Sequence, residues 1–239
     1  MKAIILAAGL GSRLKNITSN KPKALVEVNG IAMLELVIQN LKKQGITDFL
    51  INIHHFGESV INFLAINNNF GVNITISDER DQLLDTGGAI LKAHSFIKGA
   101  ESVLVHNVDI ISDIRIADLL AYHTKSNSIA TLCIRKRESG RGLLFNNEMH
   151  LVGWTNIEKQ EFRWVNNVCR NYSIFAFSGI YIISPKFTEK MVQKGKFSII
   201  DTWLNMSKNE TISGFIDTTD VWHDLGTIEK IKKVKGSYK

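Results

Sequence analysis

The N-terminal stretch constrains this chain more than any other. Residues 2–14 read Lys-Ala-Ile-Ile-Leu-Ala-Ala-Gly-Leu-Gly-Ser-Arg-Leu, and Lys21-Pro22-Lys23-Ala24-Leu25 follows after a polar stretch. The apolar run Ile4-Ile5-Leu6, ending on small residues, has the pattern of a buried parallel strand that opens into a loop. Ala7, Ala8, Gly9 and Gly11 carry little or no side chain, so a ligand can approach their backbone. Glycines also permit turns that aim successive N–H groups at one anion. Arg13 adds a permanently charged fork suited to phosphate oxygens. Lys23 adds a second cation, and Pro22 stiffens the chain just before it.

Two common phosphate loops are excluded. No Gly-Lys-Ser/Thr is present, so this is not a P-loop. Leu14 stands where a dinucleotide fold places its third glycine or alanine, and the strand at 49–53 is followed by His54-His55, not by an acid that could take a ribose. The net charge of +6 lies largely in a lysine-rich C-terminus, which reads as a solvated helix. No aromatic-basic stripe suggests nucleic acid, and no run is long enough to span a membrane. Cys133 and Cys169 lack metal-ligand spacing and read as reduced thiols of a cytoplasmic protein.

In chain order, a strand at 25–28 and an Asn29-Gly30 turn precede a helix over 33–44, with Leu34, Val37, Ile38 and Leu41 at helical spacing. Strands at 49–53, 72–77 and 102–106 then alternate with helices at 57–64, 89–96 and 114–122. This alternation predicts an α/β fold, doubly wound around a mostly parallel sheet. After 125 the pattern becomes β-rich, with strands at 129–135, 142–145, 151–154, 175–183 and 211–216. Residues 135–141 read as a mobile loop. Helices are predicted at 185–193, 199–206 and 227–234. No repeat or linker interrupts the chain, which reads as one domain over 1–239.

The run Leu6-Ala7-Ala8-Gly9-x-Gly11-x-Arg13-Leu14, followed by Lys23, resembles the signature of the sugar-1-phosphate nucleotidyltransferases. Asp85-Thr86-Gly87-Gly88 resembles that family's Glu/Asp-Thr-Gly-Gly segment. Two glycines at a helix start would let a flat base or ribose lie against the main chain. Asn107-Val108-Asp109 follows an apolar strand, where ligands of parallel sheets bind. It matches the family except that Val108 replaces a glycine. Val221 to Thr227 resembles the late Trp-x-Asp-x-Gly-Thr motif, and Phe177-Ser178-Gly179-Ile180-Tyr181 resembles the segment that lines the sugar pocket. Together these pieces span residues 3 to 227.

The resemblance implies a Rossmann-like, GT-A-type sheet with an added β-rich acceptor-binding subregion. It implies an enzyme that condenses an NTP with a sugar-1-phosphate, with Arg13, Lys23 and Asp109 catalytic and Asp109 and Asp224 holding Mg²⁺. Nucleotide contacts would come from Leu6, Ala7, Ala8, Gly9, Gly11, Ser12, Arg13, Lys23, Asp85, Thr86, Gly87, Gly88 and Asn107. Sugar contacts would come from Ser178, Gly179 and Asn166. Asp217 and Asp220 read as surface acids, and His54, His55 and His223 as residues without a catalytic role. The expected substrates are UTP and an N-acetylated hexose-1-phosphate such as N-acetylmuramate-1-phosphate. GTP with mannose-1-phosphate is the alternative, and a catalytically silent nucleotide or sugar sensor is the alternative of another class. The expected partners are these small molecules alone, with no nucleic acid and no membrane, bound by a monomer or homodimer.

Overall fold

A computed structural model describes residues 1–234. β1 (Lys2–Leu6) opens the chain at the centre of the main sheet. Two 3-10 segments, Ser12–Thr18 and Lys23–Leu25, carry the loop that follows. β2 (Glu27–Val28) and β3 (Ile31–Ala32) form a minimal hairpin, in which Asn29 and Gly30 both take the positive φ that a tight hairpin turn demands. Then come α1 (Met33–Lys43), β4 (Asp48–Ile53), α2 (Gly57–Ile66), β5 (Asn73–Asp78), α3 (Asp85–Lys92), α4 (His94–Ile97), β6 (Val103–Asn107), β7 (Ile110–Ser112) and α5 (Ile116–Ser126). The second half comprises β8 (Ala130–Arg135), β9 (Arg141–Phe145), β10 (Leu151–Asn156), β11 (Glu161–Trp164), β12 (Ser173–Ile183), α6 (Lys186–Glu189), α7 (Ile199–Met206), β13 (Ile212–Ile216), β14 (Trp222–Asp224) and α8 (Ile228–Val234).

The strands β5-β4-β1-β6 are parallel, as the βα alternation predicts. Their side chains alternate between two cores. Ala3 and Ile5 face α1, α2, α5 and α8, whereas Ile4, Leu50 and Val105 face α3, α4, α6 and α7. Helices therefore cover both faces, which is what double winding requires. Each fully buried Ile or Leu contributes roughly 1.5–3 kcal/mol, so this double burial fixes the register of β1. The β-rich half extends the same sheet: β12 runs antiparallel to β6, and its two ends pair with β8 and β9. β13 lies parallel to β8, and β9-β10-β11 form an antiparallel extension.

Several short elements escape the sequence pattern. β7 and β14 have three residues each, too few to show a period. β11 is a four-residue edge strand with no buried face, so the alternation of its two aromatics does not mark a core strand. The helix expected over 185–193 stops at Glu189. The chain beyond it unwinds to lay Phe197 on α3, where the Phe197 carbonyl accepts the Gly87 N–H at 2.9 Å.

The connection from β1 leads to β4 on one side, while β6, reached later, pairs with β1 on the other. Leu6 lies beside Asn107 in that pairing. The carboxyl ends of β1 and β6 thus border the crevice of a topological switch point, the usual ligand site of an open α/β sheet.

Candidate active site

The crevice is built from the loop after β1. Asn52, four per cent exposed at the end of β4, accepts the N–H groups of Ala7 (2.7 Å) and Ala8 (3.3 Å) through Oδ1. Its Nδ2 donates to Glu79 Oε1 at 2.8 Å, and Glu79 Oε2 accepts the Leu84 N–H at 3.0 Å. One buried amide and one buried acid thus tie β1, β4 and the approach to α3 together. This corrects an expectation: the N–H groups of Ala7 and Ala8 are not offered to an anion, because the neighbouring strand end supplies a nearer acceptor. The sequence signal was a lone Asn inside an apolar strand, and a buried amide needs such partners.

Further along the loop, a side chain at Gly9 would meet open space. Gly11 has φ +65°, and a Cβ there would lie 2.9 Å from Thr18 and 3.1 Å from Lys23. The turn therefore requires glycine and packs the lysine segment against the loop. Lys23 forms an ion pair with Asp109, both side chains only 12% exposed. Asp109 follows β6 directly. The Val108 side chain is buried in the core, and its N–H bonds to the Leu6 carbonyl at 3.2 Å. The valine therefore packs inward and leaves the carboxylate in place.

Asp224 arrives from the far end of the chain. β14 pairs with β7 so that Asp224 stands opposite Ile110, and the Leu225 N–H donates to the Asp109 carbonyl at 2.8 Å. Two acids that are distant in sequence thus share one corner. Burial works against the Asp224 carboxylate. The Lys230 ammonium, the Gly226 N–H at 2.8 Å and the charge of Arg13 outweigh it and hold its pKa below the usual range. A Cβ on Gly226 would lie 2.8 Å from Asp224 Oδ1 and 2.9 Å from Arg13 Nη2. Glycine at this point lets the guanidinium come in beside the acid. Lys230 belongs to the lysine-rich C-terminus read as solvated. Its tie to Asp224 was not foreseen, and residues 235–239 lie outside the described part.

A cleft of about 490 Å³ joins Arg13, Lys23 and Asp109 and reaches Gly226 next to Asp224. Of the expected residues, Leu6, Ala8, Gly9, Gly11, Ser12, Arg13, Lys23, Asp85, Thr86, Asn107 and Asp109 line it, as does Gly226 beside Asp224. Asn52, Glu79 and Lys196 line it too and were missed. Ala7, Gly87, Gly88 and Asp224 do not. A Cβ on Gly87 would strike the Phe197 ring at 2.4 Å, and one on Gly88 the Gly195 carbonyl at 2.4 Å. These glycines let the 195–197 segment pack on α3. Asp85 has φ +58°, an uncommon conformation for a residue with a Cβ, at the cleft wall. Burial drives the His106 pKa down to about 4 against the pull of the Asn107 carbonyl and Asp109, so this imidazole is neutral at pH 7.

On the β12 side, the strand shifts register between Phe177 and Tyr181. Ser178 is fully buried there, and what it presents outward is its carbonyl, which accepts Trp222 Nε1 at 2.9 Å. The buried hydroxyl does not fit the sugar contact expected of Ser178. Gly179, at φ +80°, packs so closely on Ile110 and Asn107 that a Cβ would lie 2.6 Å from Ile110. Asn166 is exposed between β11 and β12 and does not line the cleft. Asp217 is not a surface acid: it is buried and paired with Arg135 at 2.6 Å. Residues 135–141, expected to be mobile, are tied at their start by that pair and by Arg137, which donates to the Phe177 carbonyl at 3.1 Å.

Asp109 and Asp224 offer the oxygen donors that a hard divalent ion takes. No group of three or more His, Cys, Asp or Glu suited to a metal occurs among the described residues. The pair fits Mg²⁺ only if phosphate oxygens and water complete the shell, which is how that ion is commonly held. No helix among the described residues is long and apolar enough to cross a membrane.

Comparison with known proteins agrees with this geometry. The chain is 28% identical over 229 residues to a mannose-1-phosphate guanyltransferase of Yarrowia lipolytica, covering 95% of this chain and 61% of that one. This chain therefore spans about three-fifths of the length of the guanyltransferases it matches. It is 40% identical over 111 residues, 46% of each chain, to an N-acetylmuramate alpha-1-phosphate uridylyltransferase of Caulobacter vibrioides. The fold matches a putative glucose-1-phosphate thymidylyltransferase from Bacillus anthracis with a TM-score of 0.80 at 23% identity, covering 99% of this chain and 94% of that one. The family model described as "Nucleotidyl transferase" matches residues 2–239, and the chain belongs to that family.

Proposed function

We propose that the protein condenses a nucleoside triphosphate with a sugar-1-phosphate to give a nucleoside-diphosphate sugar and pyrophosphate. One observation carries this reading: Arg13, Lys23 and Asp109 line a single cleft, and Asp224 adjoins it beside Arg13 and Gly226. An oxygen of the sugar phosphate forms a bond to the α-phosphorus, and the bond from that phosphorus to the bridging oxygen breaks. Pyrophosphate departs with the electron pair. The attacking oxygen is already anionic, so no general base is required.

The chain's work is positioning and charge. Arg13 and the loop beyond Ala8 take the β- and γ-phosphates, and Asp85, Thr86 and Asn107 line the nucleoside side. Lys23 is held by Asp109 at the mouth of β6, where it offsets charge at the reacting phosphate. Mg²⁺ held by Asp109 and Asp224 would supply charge neutralisation between the phosphates of the two substrates.

The preferred substrates are UTP and an N-acetylated hexose-1-phosphate such as N-acetylmuramate-1-phosphate. The 40% identity to the uridylyltransferase supports this choice. GTP with mannose-1-phosphate is the second reading, favoured by the longer match to the guanyltransferases. A pyrophosphate-release screen of four NTPs against a panel of sugar-1-phosphates tests both. Turnover is expected with one nucleotide and sugar-phosphate pair well above the rest. Calorimetry that finds nucleotide binding without turnover of any pair would replace the enzyme with a sensor. Release of nucleoside diphosphate from a nucleotide sugar would replace it with a glycosyltransferase.

A further inference from the structure

Arg137 is not used by the reaction as described. It lies in the connection from β8 to β9, with its guanidinium carbon 4.5 Å from the centroid of the Trp222 ring. One nitrogen donates to the Phe177 carbonyl at 3.1 Å and another to the Glu138 carbonyl at 3.2 Å. No carboxylate pairs with it among the described residues, in contrast to Arg135, which Asp217 neutralises. Packing against Trp222 strips part of its water, yet the Asp224 charge reaches it. Trp222 is two residues from Asp224 on β14 and is itself fixed to the Ser178 carbonyl. The irregular part of β12 thus turns two successive carbonyls outward, one to hold the arginine and one to hold the ring beneath it.

Arg137 is thus an oriented cation with no carboxylate bonded to it, stacked on the ring two residues before Asp224; it lines a separate cavity along β9 and β12 and not the cleft of Arg13 and Lys23. Arg13 comes in beside Asp224 at Gly226; Arg137 stacks on Trp222, two residues before Asp224 on β14, close enough for the two charges to act on each other. Two of the five N–H groups of Arg137 go to the Glu138 and Phe177 carbonyls, and the remaining three can serve an oxyanion in the plane of a guanidinium held flat on the ring. The sugar phosphate is an anion that must approach two carboxylates of its own sign. Lys23 and Lys230 are already paired with those carboxylates.

We propose that Arg137 anchors the phosphate of the sugar-1-phosphate and so fixes the attacking oxygen, a positioning and binding role that rests on the proposed reaction. Trp222 and the Phe177 carbonyl hold the guanidinium for it.

The test is steady-state kinetics of the full chain with the best substrate pair, comparing wild type with Arg137→Ala and Arg137→Lys. The expected result for Arg137→Ala is a KM for the sugar-1-phosphate raised roughly 10- to 100-fold, with the NTP KM within about twofold. Arg137→Lys restores part of that loss, because the charge returns without the planar fork. Thermal melting of both variants, within a few degrees of wild type, shows that the bracket on β12 survives. Equal KM values for the sugar phosphate in wild type and both variants overturn the proposal. So does a parallel rise in both KM values, the mark of a purely structural arginine. Absence of turnover in the wild type instead defeats the reaction on which the proposal rests.

Discussion

The parallel strands β5-β4-β1-β6 and the antiparallel strands around β12 hold their polar groups in different ways. In the parallel half the polar groups are clamped across elements and buried: Asn52 on Ala7 and Ala8, Glu79 on Leu84, Lys23 on Asp109. In the antiparallel half one such buried clamp, Arg135 on Asp217, holds β8, but around β12 the backbone carbonyls turn outward, and the side chains that use them come from a loop and a three-residue strand. The first arrangement has one geometry. The second can be re-dressed by changing a loop without touching the sheet. In the proposed reaction the parallel half binds what every substrate pair shares, the triphosphate, and the antiparallel half meets the part that varies, the sugar.

The largest effect belongs to the shared corner. Lys23→Ala is expected to lower pyrophosphate release about 10²-fold or more with every substrate pair, since losing one donor to a transition-state charge typically costs that much. Equal rates in mutant and wild type would detach Lys23 from the chemistry. Next, Asn52→Ala removes the acceptor for two N–H groups and a donor to Glu79. The loss is expected at about 1–3 kcal/mol for each buried group left unsatisfied, read as a lower midpoint in urea. The same experiment on the other half, with Trp222→Phe, removes one hydrogen bond to the Ser178 carbonyl and should cost only about 1 kcal/mol. A reversed order would break the contrast between the halves.

Gly87→Ala forces the Phe197 ring to move and should destabilise by about 1–3 kcal/mol, the usual cost of overpacking. If it instead weakens nucleotide binding at unchanged stability, the glycine serves the ligand after all. pH probes the core beneath both halves. His106 and His123 are buried, and burial lowers each pKa from 6.5 to about 4. The unfolded chain therefore binds more protons between those values. Stability is fully present above pH 6.5 and falls as pH drops toward 4, by at most about 3 kcal/mol per histidine. Replacing either by Gln should flatten that fall. The smallest effect is Ser178→Ala, whose hydroxyl is buried. The sugar-phosphate KM should stay within about twofold, whereas a large rise would restore the sugar contact first read from the sequence.

How far the sequence could be read follows the same division. The parallel half was legible because its strands are apolar runs that alternate with helical periods, and because Gly9, Gly11, Arg13 and Lys23 lie close together in the chain. The pairing of Asp109 with Asp224 was visible only as two separate motifs. What joins them, the β7–β14 ladder, is too short to leave a pattern. Asn52 and Glu79 stayed hidden because one polar residue in a strand or loop has no periodicity; its meaning lies in partners brought near by folding. The glycines of α3 are visible in the sequence, but their packing partner is not, since Phe197 reaches them from more than a hundred residues away. Ser178 was misread for the same reason: period 2 cannot tell which way a strand turns at an irregularity.

The central claim is that Asp109 and Asp224 act as one unit. A double-mutant cycle on pyrophosphate release, with Asp109→Asn, Asp224→Asn and the double variant, tests it directly. Each single change should cost about 10²-fold or more, and the double variant should be little worse than the poorer single one, because either loss already disables the shared site. Losses that multiply in the double variant would mean that the two acids work independently, and the common centre drawn here would be wrong.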